Sequence, residues 1–373
     1  MKYTQNLRKD EYIQLKLREI YRQYGYLPYR MGRFEEYELY MRNRNFLRSD
    51  RILTFTDTDG KLRAMKPDIT LSIVRDYDGT GLQKLCYSES VFRPGNSGFK
   101  QIEQSGLECI GKLDPYLEGE VLMLAVKSLR TIGEGYLLDI SHVGFVSALA
   151  EQYLDSVFSM DILKELARKN ADGIRKICAE AGIDKEITGI FIRMSESYGP
   201  AEEMLIIMKD MVRNSDMEKA LKELSDTVKI LREFEPDGKI MIDLSMADDR
   251  NYYSGLIFRG MTEGIPEYVL SGGRYDNLLK RMGKEGNAIG FAVYLDLLGD
   301  MDESRDRKDC DILLIRKDTD DPKDIVKAVD ELIANGMSVR VEKELGNIKY
   351  GKKAERTGKY KIRKKGGAQR RSS

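Results

Sequence analysis

The sequence predicts an α+β fold in which one antiparallel sheet, flanked by helices, spans residues 1–302. Three observations indicate this. Short strand-like runs separated by turn residues occupy residues 51–110 and resume in residues 239–271. Between them, residues 147–235 are almost wholly helical in pattern. A charged linker at residues 303–308 then precedes a smaller unit. We interpret the helical block as an insertion between two parts of one sheet.

The N-terminal elements follow from local patterns. Apolar residues recur at helical spacing over residues 7–24, which predicts a helix. Asp57-Thr58-Asp59-Gly60 separates two strand-like runs and predicts a hairpin. The sequence Ser215-x-x-Glu218 predicts a capping box at the start of the last helix of the insertion. Further elements are predicted near residues 71–76 (helix), 83–92 and 100–110 (strands) and 116–131 (helix).

The C-terminal part divides in two. Residues 309–345 read as strand, helix and strand, a small β-α-β element that resembles a shortened anticodon-binding domain and is too small for a core of its own. Residues 346–373 contain eleven Lys or Arg residues and one acid, with few large apolar residues. This composition predicts a basic, disordered tail.

Composition excludes several function classes. Lys plus Arg and Asp plus Glu both number 62, so net charge gives no argument for a nucleic-acid partner, and no specific one is expected. Four scattered cysteines and one histidine provide no metal site, and no cofactor is predicted. No signal peptide or long apolar run is present, which favours a cytoplasmic protein without a membrane span. The single histidine, His142, reads as a strand end entering a turn, with a structural or hydrogen-bonding role.

Two polar segments suggest an amino-acid pocket. Asp68 and Thr70 open a predicted helix, where they could hold an ammonium group or simply cap the helix. Gln104 and Glu108, four residues apart on a predicted strand, face the same side and could bind an imidazole or an ammonium group. Arg93, near the end of the preceding strand, could hold a carboxylate or form a surface ion pair.

Two further segments combine tyrosine and glycine. Tyr252 and Tyr253 precede Ser254-Gly255, and on a strand only one of the two rings would face a pocket. Gly272 and Gly273 precede Tyr275 and a predicted helix, and paired glycines allow a ligand to approach the backbone closely. The alternative is aromatic core packing beside a tight turn.

In their order and spacing, these segments resemble the catalytic core of histidyl-tRNA synthetase, a class II aminoacyl-tRNA synthetase, over about residues 1–300. The resemblance implies the class II sheet and a pocket for histidine. It implies that Asp68 and Thr70 bind the substrate amino group and that Arg93 is the motif 2 arginine. The histidine-binding residues that it implies are Asp68, Thr70, Arg93, Gln104, Glu108, Tyr252, Tyr253, Gly272, Gly273 and Tyr275.

The departures from that family lie on the phosphate side. Asp248 stands where the family has the arginine that stabilises the adenylate. The family's terminal motif G-F-A-x-G-x-E-R reads G-F-A-V-Y-L-D-L here, ending in Leu297, and the motif 2 loop at residues 94–98 is short. Adenylation needs cationic groups where phosphate charge develops. The sequence therefore predicts no catalytic residue and no synthetase chemistry.

A histidine pocket without this chemistry resembles the regulatory subunits of short-form ATP phosphoribosyltransferase, whose Ser-His-Val-Gly-Phe stretch is similar to residues 141–145. The resemblance implies a non-catalytic subunit that is required for the first step of histidine biosynthesis and that mediates feedback inhibition by histidine. It also implies a hetero-oligomer with the short-form catalytic subunit, containing a self-dimer of this chain. Gly32 stands where motif 1 of the family has an interface proline. The alternative is a tRNA- or RNA-binding synthetase-like protein without aminoacylation activity.

Overall fold

The computed structural model describes residues 7–47, 49, 51–95, 97–246, 252–299, 308–357 and 359–364. For residues 299, 355–357 and 359–364 it describes the backbone only. The chain divides into two compact units, Met1–Met301 and Asp302–Ser373.

Among the described residues, the first ten α-helices and β-strands of the first unit lie between Lys9 and Ile132. The helices are α1 (Lys9–Gln23), α2 (Tyr37–Arg42), α3 (Thr70–Asp76) and α4 (Pro115–Ile132). The strands are β1 (Leu27–Pro28), β2 (Phe34–Glu36), β3 (Thr54–Thr56), β4 (Leu62–Met65), β5 (Gln83–Gly95) and β6 (Gly98–Gly111).

The rest of the first unit contains the helical block and the return to the sheet. The helices are α5 (Val143–Tyr153), α6 (Ser156–Ala167), α7 (Ala171–Glu180), α8 (Lys185–Glu196), α9 (Ala201–Met211), α10 (Ser215–Phe234), α11 (Asp276–Arg281) and α12 (Asp296–Gly299). The strands are β7 (Tyr136–His142), β8 (Tyr198–Pro200), β9 (Ile240–Asp243), β10 (Leu256–Thr262), β11 (Leu270–Arg274) and β12 (Asn287–Tyr294).

A nine-stranded sheet with the order β1-β5-β6-β12-β11-β10-β7-β9-β8 organises the first unit. The predicted α+β class is confirmed, and the sheet is mixed: β1 with β5 and β7 with β9 pair in parallel, and the other neighbours are antiparallel. The parallel β7–β9 pair is possible because the helical block supplies a long crossover connection. A separate three-stranded sheet contains the predicted hairpin of β3 and β4, in which Gly60 adopts a φ of 78°.

The helical block differs from its prediction in three places. Its first helix, α5, begins at Val143, so the chain passes from strand to helix at His142 without the predicted turn. The strand β8 interrupts the helices and pairs with β9. The last helix is capped by Asn214, whose side chain accepts a hydrogen bond of 2.8 Å from the backbone N–H of Met217. The capping box predicted at Ser215 is therefore wrong by one residue, because Asn214 supplies the capping oxygen.

The second unit contains the predicted β-α-β element and two more strands. Its elements are β13 (Cys310–Ile315), α13 (Pro322–Ala334), β14 (Val339–Glu342), β15 (Tyr350–Thr357) and β16 (Lys359–Lys364), and its sheet order is β14-β13-β15-β16. Part of the tail predicted to be disordered from residue 346 thus forms strands, over residues 350–357 and 359–364. A strand needs only alternate residues to be apolar. Ala354 meets that need by packing, 1% exposed, in one cluster with Ile312 and Leu314.

Candidate functional site

A cavity lies over the middle of the nine-stranded sheet, on the face opposite α4, with about 420 Å³ of empty space including its open mouth. Its position follows from the sheet: Glu108 is directly opposite Gly290, Gln104 opposite Tyr294 and Ser271 opposite Ala292. We call it the central cavity. It is lined by Asp68, Ile69, Thr70, Tyr87, Arg93, Gln104, Glu108, Tyr252, Tyr253, Ser271, Gly272, Tyr275, Gly290, Phe291, Ala292 and Tyr294.

Glu108 is the centre of the polar lining. Thr70 Oγ1 donates to Glu108 Oε1 at 2.9 Å, and Tyr275 Oη donates to Glu108 Oε2 at 2.5 Å. The carboxyl is only 2% exposed. Burial raises its pKa to about 8, the two hydroxyl donors oppose this rise, and the nearby Asp68 carboxylate adds to it. The cavity therefore contains a buried acid whose protonation can change near neutral pH.

Asp68 and Arg93 form one wall of the cavity. Asp68 Oδ1 accepts a hydrogen bond of 2.9 Å from the backbone N–H of Leu71, so it caps α3. Its other oxygen, Oδ2, lies 3.8 Å from an Arg93 guanidinium nitrogen. Arg93 is fixed by a second contact, because its Nε donates to the carbonyl oxygen of Pro67 at 2.9 Å. Asp68 thus caps the helix, as one alternative predicted, and it also lines the cavity, where a role in holding an ammonium group would require it.

Both tyrosines of the Tyr252-Tyr253 pair line the cavity, so the expectation that only one would do so is wrong. The alternation of a strand does not apply to them, because β10 begins only at Leu256. Their rings pack edge to face with centroids 4.8 Å apart. Ser254 fixes this turn, since its N–H donates to the Arg274 carbonyl oxygen at 2.7 Å and its Oγ accepts from the Asp276 N–H at 2.9 Å.

Gly272 and Gly273 belong to β11 and not to a tight turn. Gly272 lines the cavity, whereas Gly273 lies behind the Tyr253 ring. A Cβ on Gly273 would lie 2.5 Å from Tyr253 Cδ1. Gly290 has a related function, because a Cβ there would overlap the Glu108 carboxylate. These glycines therefore make room for neighbouring side chains of the site.

The structure brings nine of the ten predicted residues to one cavity, and Gly273 is the exception. Sequence reasoning missed Tyr87 and Tyr294. Tyr87 could have been found from the pairing of long strands, because it lies directly opposite Gly106, where a Cβ would lie 2.6 Å from its hydroxyl. Tyr294 stands at the second glycine of the G-F-A-x-G motif, and that substitution was its signal.

A second cavity, which we call the outer groove, adjoins the central cavity. It is lined by Arg93, Ile102, Arg259, Pro266, Glu267, Tyr268, Ser271, Tyr294, Asp296 and Leu297. Leu297 supplies an aliphatic side chain at the position where the resemblance expects an arginine. Asp248, the other departure from the family, lies outside the described residues. The groove also contains Arg259, whose guanidinium lies 5.5 Å from the centroid of the Tyr268 ring.

His142 lies apart from the residues lining the central cavity. Its Nε2 is 3.1 Å from Glu223 Oε2 of α10, and its ring is 5% exposed. The predicted hydrogen-bonding role is confirmed. Within the part of the chain that the structure describes, no group of three His, Cys, Asp or Glu side chains could hold a metal ion, and no helix is long and apolar enough to cross a membrane.

Known proteins with similar sequences belong to one family. The sequence profile of histidyl-tRNA synthetase matches residues 3–298. A protein of Clostridium kluyveri named ATP phosphoribosyltransferase regulatory subunit is 31% identical over 308 residues, which cover 78% of each chain. A Halothermothrix orenii protein of the same name is 29% identical over 94% of this chain and 87% of its own.

Solved structures show the same fold. A Bacillus halodurans protein described as an ATP phosphoribosyltransferase regulatory subunit/histidyl-tRNA synthetase aligns with a TM-score of 0.76 at 22% identity, covering 90% of this chain and 88% of that one. A chain of the ATP phosphoribosyl transferase complex from Thermotoga maritima aligns with a TM-score of 0.62 at 20% identity, covering 77% of this chain and 97% of that one.

Proposed function

Since the chain belongs to the histidyl-tRNA synthetase family, and within it to the ATP phosphoribosyltransferase regulatory subunits, we propose that it senses histidine for an ATP phosphoribosyltransferase complex. In this proposal it is not itself a catalyst. It is required by a short-form catalytic subunit for the first step of histidine biosynthesis, and it mediates feedback inhibition by histidine. The two proteins would meet in the cytoplasm as a hetero-oligomer that contains a dimer of this chain.

The observation that carries the proposal is the polar arrangement around Glu108. The Asp68 carboxylate and the Thr70 hydroxyl can accept hydrogen bonds from a ligand ammonium group. Arg93, on the same wall, offers a fixed guanidinium to a carboxylate. Gln104 and Glu108, only 3% and 2% exposed, provide an amide and a carboxyl group for the two nitrogens of an imidazole. Together these groups match the charged and polar atoms of free histidine.

The groove beside the cavity supports a non-catalytic function. Transfer of an adenylyl group requires cationic groups where phosphate charge develops, and losing one such group typically costs about a hundredfold or more in rate. Leu297 offers no charge, and β5 and β6 are joined by only two residues, so the loop that would hold ATP is minimal. Arg259 and Arg93 are the cations lining the groove, and Glu267 and Asp296 line it as well.

The proposal is tested by mixing the purified chain with a short-form catalytic subunit and measuring phosphoribosyl-ATP synthesis. We expect activity that requires both proteins and that histidine inhibits. The proposal fails if this chain does not stimulate the catalytic subunit at any mixing ratio. ATP–pyrophosphate exchange with histidine should be absent, and robust exchange would instead indicate a synthetase. Light scattering of the purified chain tests the proposed dimer.

A tRNA- or RNA-binding function is the second candidate, and the strands β15 and β16 are the observation that favours it. They arrange the basic C-terminal sequence as an antiparallel hairpin, with Lys353 opposite Arg363 and Lys352 opposite Lys364. Contacts to phosphate from such a hairpin would weaken steeply with salt. Specific binding of tRNA that is lost when Lys352, Lys353, Arg363 and Lys364 are replaced with glutamine would favour this candidate over the first.

A further inference from the structure

Tyr294 and Ser271 lie on the boundary between the central cavity and the outer groove, and both residues line both spaces. Ser271 Oγ and Tyr294 Oη are 2.5 Å apart, within hydrogen-bond distance. The pairing of β11 with β12 explains the contact. Ser271 is directly opposite Ala292, so Tyr294, two residues farther along β12, is its diagonal neighbour on the same face of the sheet. A hydrogen-bonded pair of side chains thus lies between the central cavity and the outer groove.

The boundary has a second feature, the position of Arg93. Arg93 also lines both spaces, and its guanidinium is fixed by the Pro67 carbonyl oxygen and faces Asp68. A ligand with its ring at Glu108 and its ammonium group near Asp68 would direct its carboxylate toward Arg93. Any atoms attached beyond that carboxylate would then enter the outer groove and pass Tyr294.

The family's terminal motif has glycine at the position of Tyr294, and glycine would leave this passage without a side chain. We propose that Tyr294, held by Ser271, is a partition that admits a free amino acid to the central cavity and excludes ligands extended at the carboxyl group. This inference rests on the proposed function, because it assumes that histidine binds with its carboxylate at Arg93. It makes Tyr294 a specificity-determining residue.

The consequence is a sensor that distinguishes free histidine from histidine joined to another group through its carboxyl. A free amino acid has no atoms beyond the carboxylate, so the tyrosine ring costs it nothing. An ester with a bulky alcohol would have to displace the ring and break the contact between Tyr294 and Ser271. Such exclusion by steric conflict is a common source of specificity.

The test is calorimetric titration of the full chain with histidine, histidine methyl ester and histidine benzyl ester. The two esters have lost the same carboxylate charge, so the ratio of their affinities isolates the size of the added group. For the wild-type chain we expect the benzyl ester to bind at least about 50-fold more weakly than the methyl ester, since excluding a bulky group typically costs a few kcal/mol. In Tyr294→Gly this ratio should fall to within about fivefold. Tyr294→Phe keeps the ring and should keep most of the discrimination.

The outcomes separate the partition from the proposed function. If wild-type protein does not bind histidine, the proposed function fails. If it binds histidine and also binds both esters equally, or if Tyr294→Gly discriminates as wild type does, the partition is wrong and the sensor proposal stands. Tyr294→Ala carries the test if the glycine variant does not fold. Thermal unfolding of each variant separates loss of fold from loss of selectivity.

Discussion

Replacing Glu108 with glutamine should stabilise the protein, and more at pH 7 than at pH 5. In the folded chain, burial raises the pKa of this carboxyl from 4.5 to about 8. The protonated carboxyl therefore contributes its full stabilisation of the folded state below about pH 4.5, and this contribution is lost as the pH rises through about 8. Glutamine resembles the protonated carboxyl and has no proton to lose. Its carbonyl can accept one neighbouring hydroxyl, and its amide can donate to the other.

The size of the effect follows from the pKa. Each pH unit between the unfolded and folded pKa values changes stability by about 1.4 kcal/mol. Between pH 5 and pH 7 the wild-type chain should therefore lose about 2–3 kcal/mol that the Glu108→Gln variant keeps. The assay is urea unfolding of both proteins at the two pH values. An equal stability difference at pH 5 and pH 7 would refute the assignment of a buried, protonated Glu108.

A second glutamate provides a comparison of opposite sign. Glu202 on α9 receives a hydrogen bond of 2.6 Å from Arg232, which lowers the pKa of its carboxyl. The folded state therefore favours the ionised form of Glu202. At pH values above the pKa of this carboxyl in the unfolded chain, the Glu202→Gln variant should be less stable than the wild type. The side chain is 55% exposed, so solvent screening keeps this loss well below 1 kcal/mol, or about the value of a surface ion pair.

Three other predictions concern stability and binding. Lys66 is fully buried, and its Nζ lies 2.9 Å from the Glu89 carboxylate. Lys66→Met should therefore lower the free energy of unfolding, measured in urea, by about 3 kcal/mol. The double variant Lys66→Met, Glu89→Leu should recover part of that stability. Asn214→Ala removes the cap of α10 and should cost about 1 kcal/mol by the same assay, whereas Ser215→Ala, the matched control, should change stability by much less. Equal losses for the two variants would contradict the assignment of the cap. If histidine donates a hydrogen bond to ionised Glu108, the affinity of the chain for histidine should rise by up to about tenfold per pH unit toward pH 8. Calorimetric titrations at several pH values measure this affinity. An affinity that does not change with pH would show that this contact is not made.

The fold class and most of its elements could be predicted because they depend on local patterns. The hairpin around Asp57 and Gly60 is set by turn chemistry, and the insertion is set by helical periodicity. Of the two failures, one is local in origin and the other is tertiary. The pattern Ser-x-x-Glu predicts a cap at Ser215, whereas the side chain of its neighbour Asn214 accepts the capping hydrogen bond. The strands β15 and β16 could not be predicted, because β15 pairs with β13 in a tertiary contact that composition does not reveal.

The candidate site shows the same limit. Gln104 and Glu108 could be placed on one face from strand alternation alone, and the register confirms it. The positions of the two tyrosines could not be predicted, because Ser254 bonds to the distant residues Arg274 and Asp276 and forms a turn where a strand was expected. The contact between Tyr294 and Ser271 could not be predicted, because the two residues lie on different strands.

The most direct test of the central claim is a histidine inhibition curve of the reconstituted complex, measured with the wild-type chain and with Asp68→Ala. The wild-type complex should be inhibited by histidine. The variant complex should keep its synthetic activity but need about 100-fold more histidine for the same inhibition, since a charged hydrogen bond to the ammonium group is worth about 2–3 kcal/mol. Thermal unfolding of the variant checks that loss of the α3 cap has not unfolded the chain. Identical inhibition of the two complexes would show that histidine acts at another site.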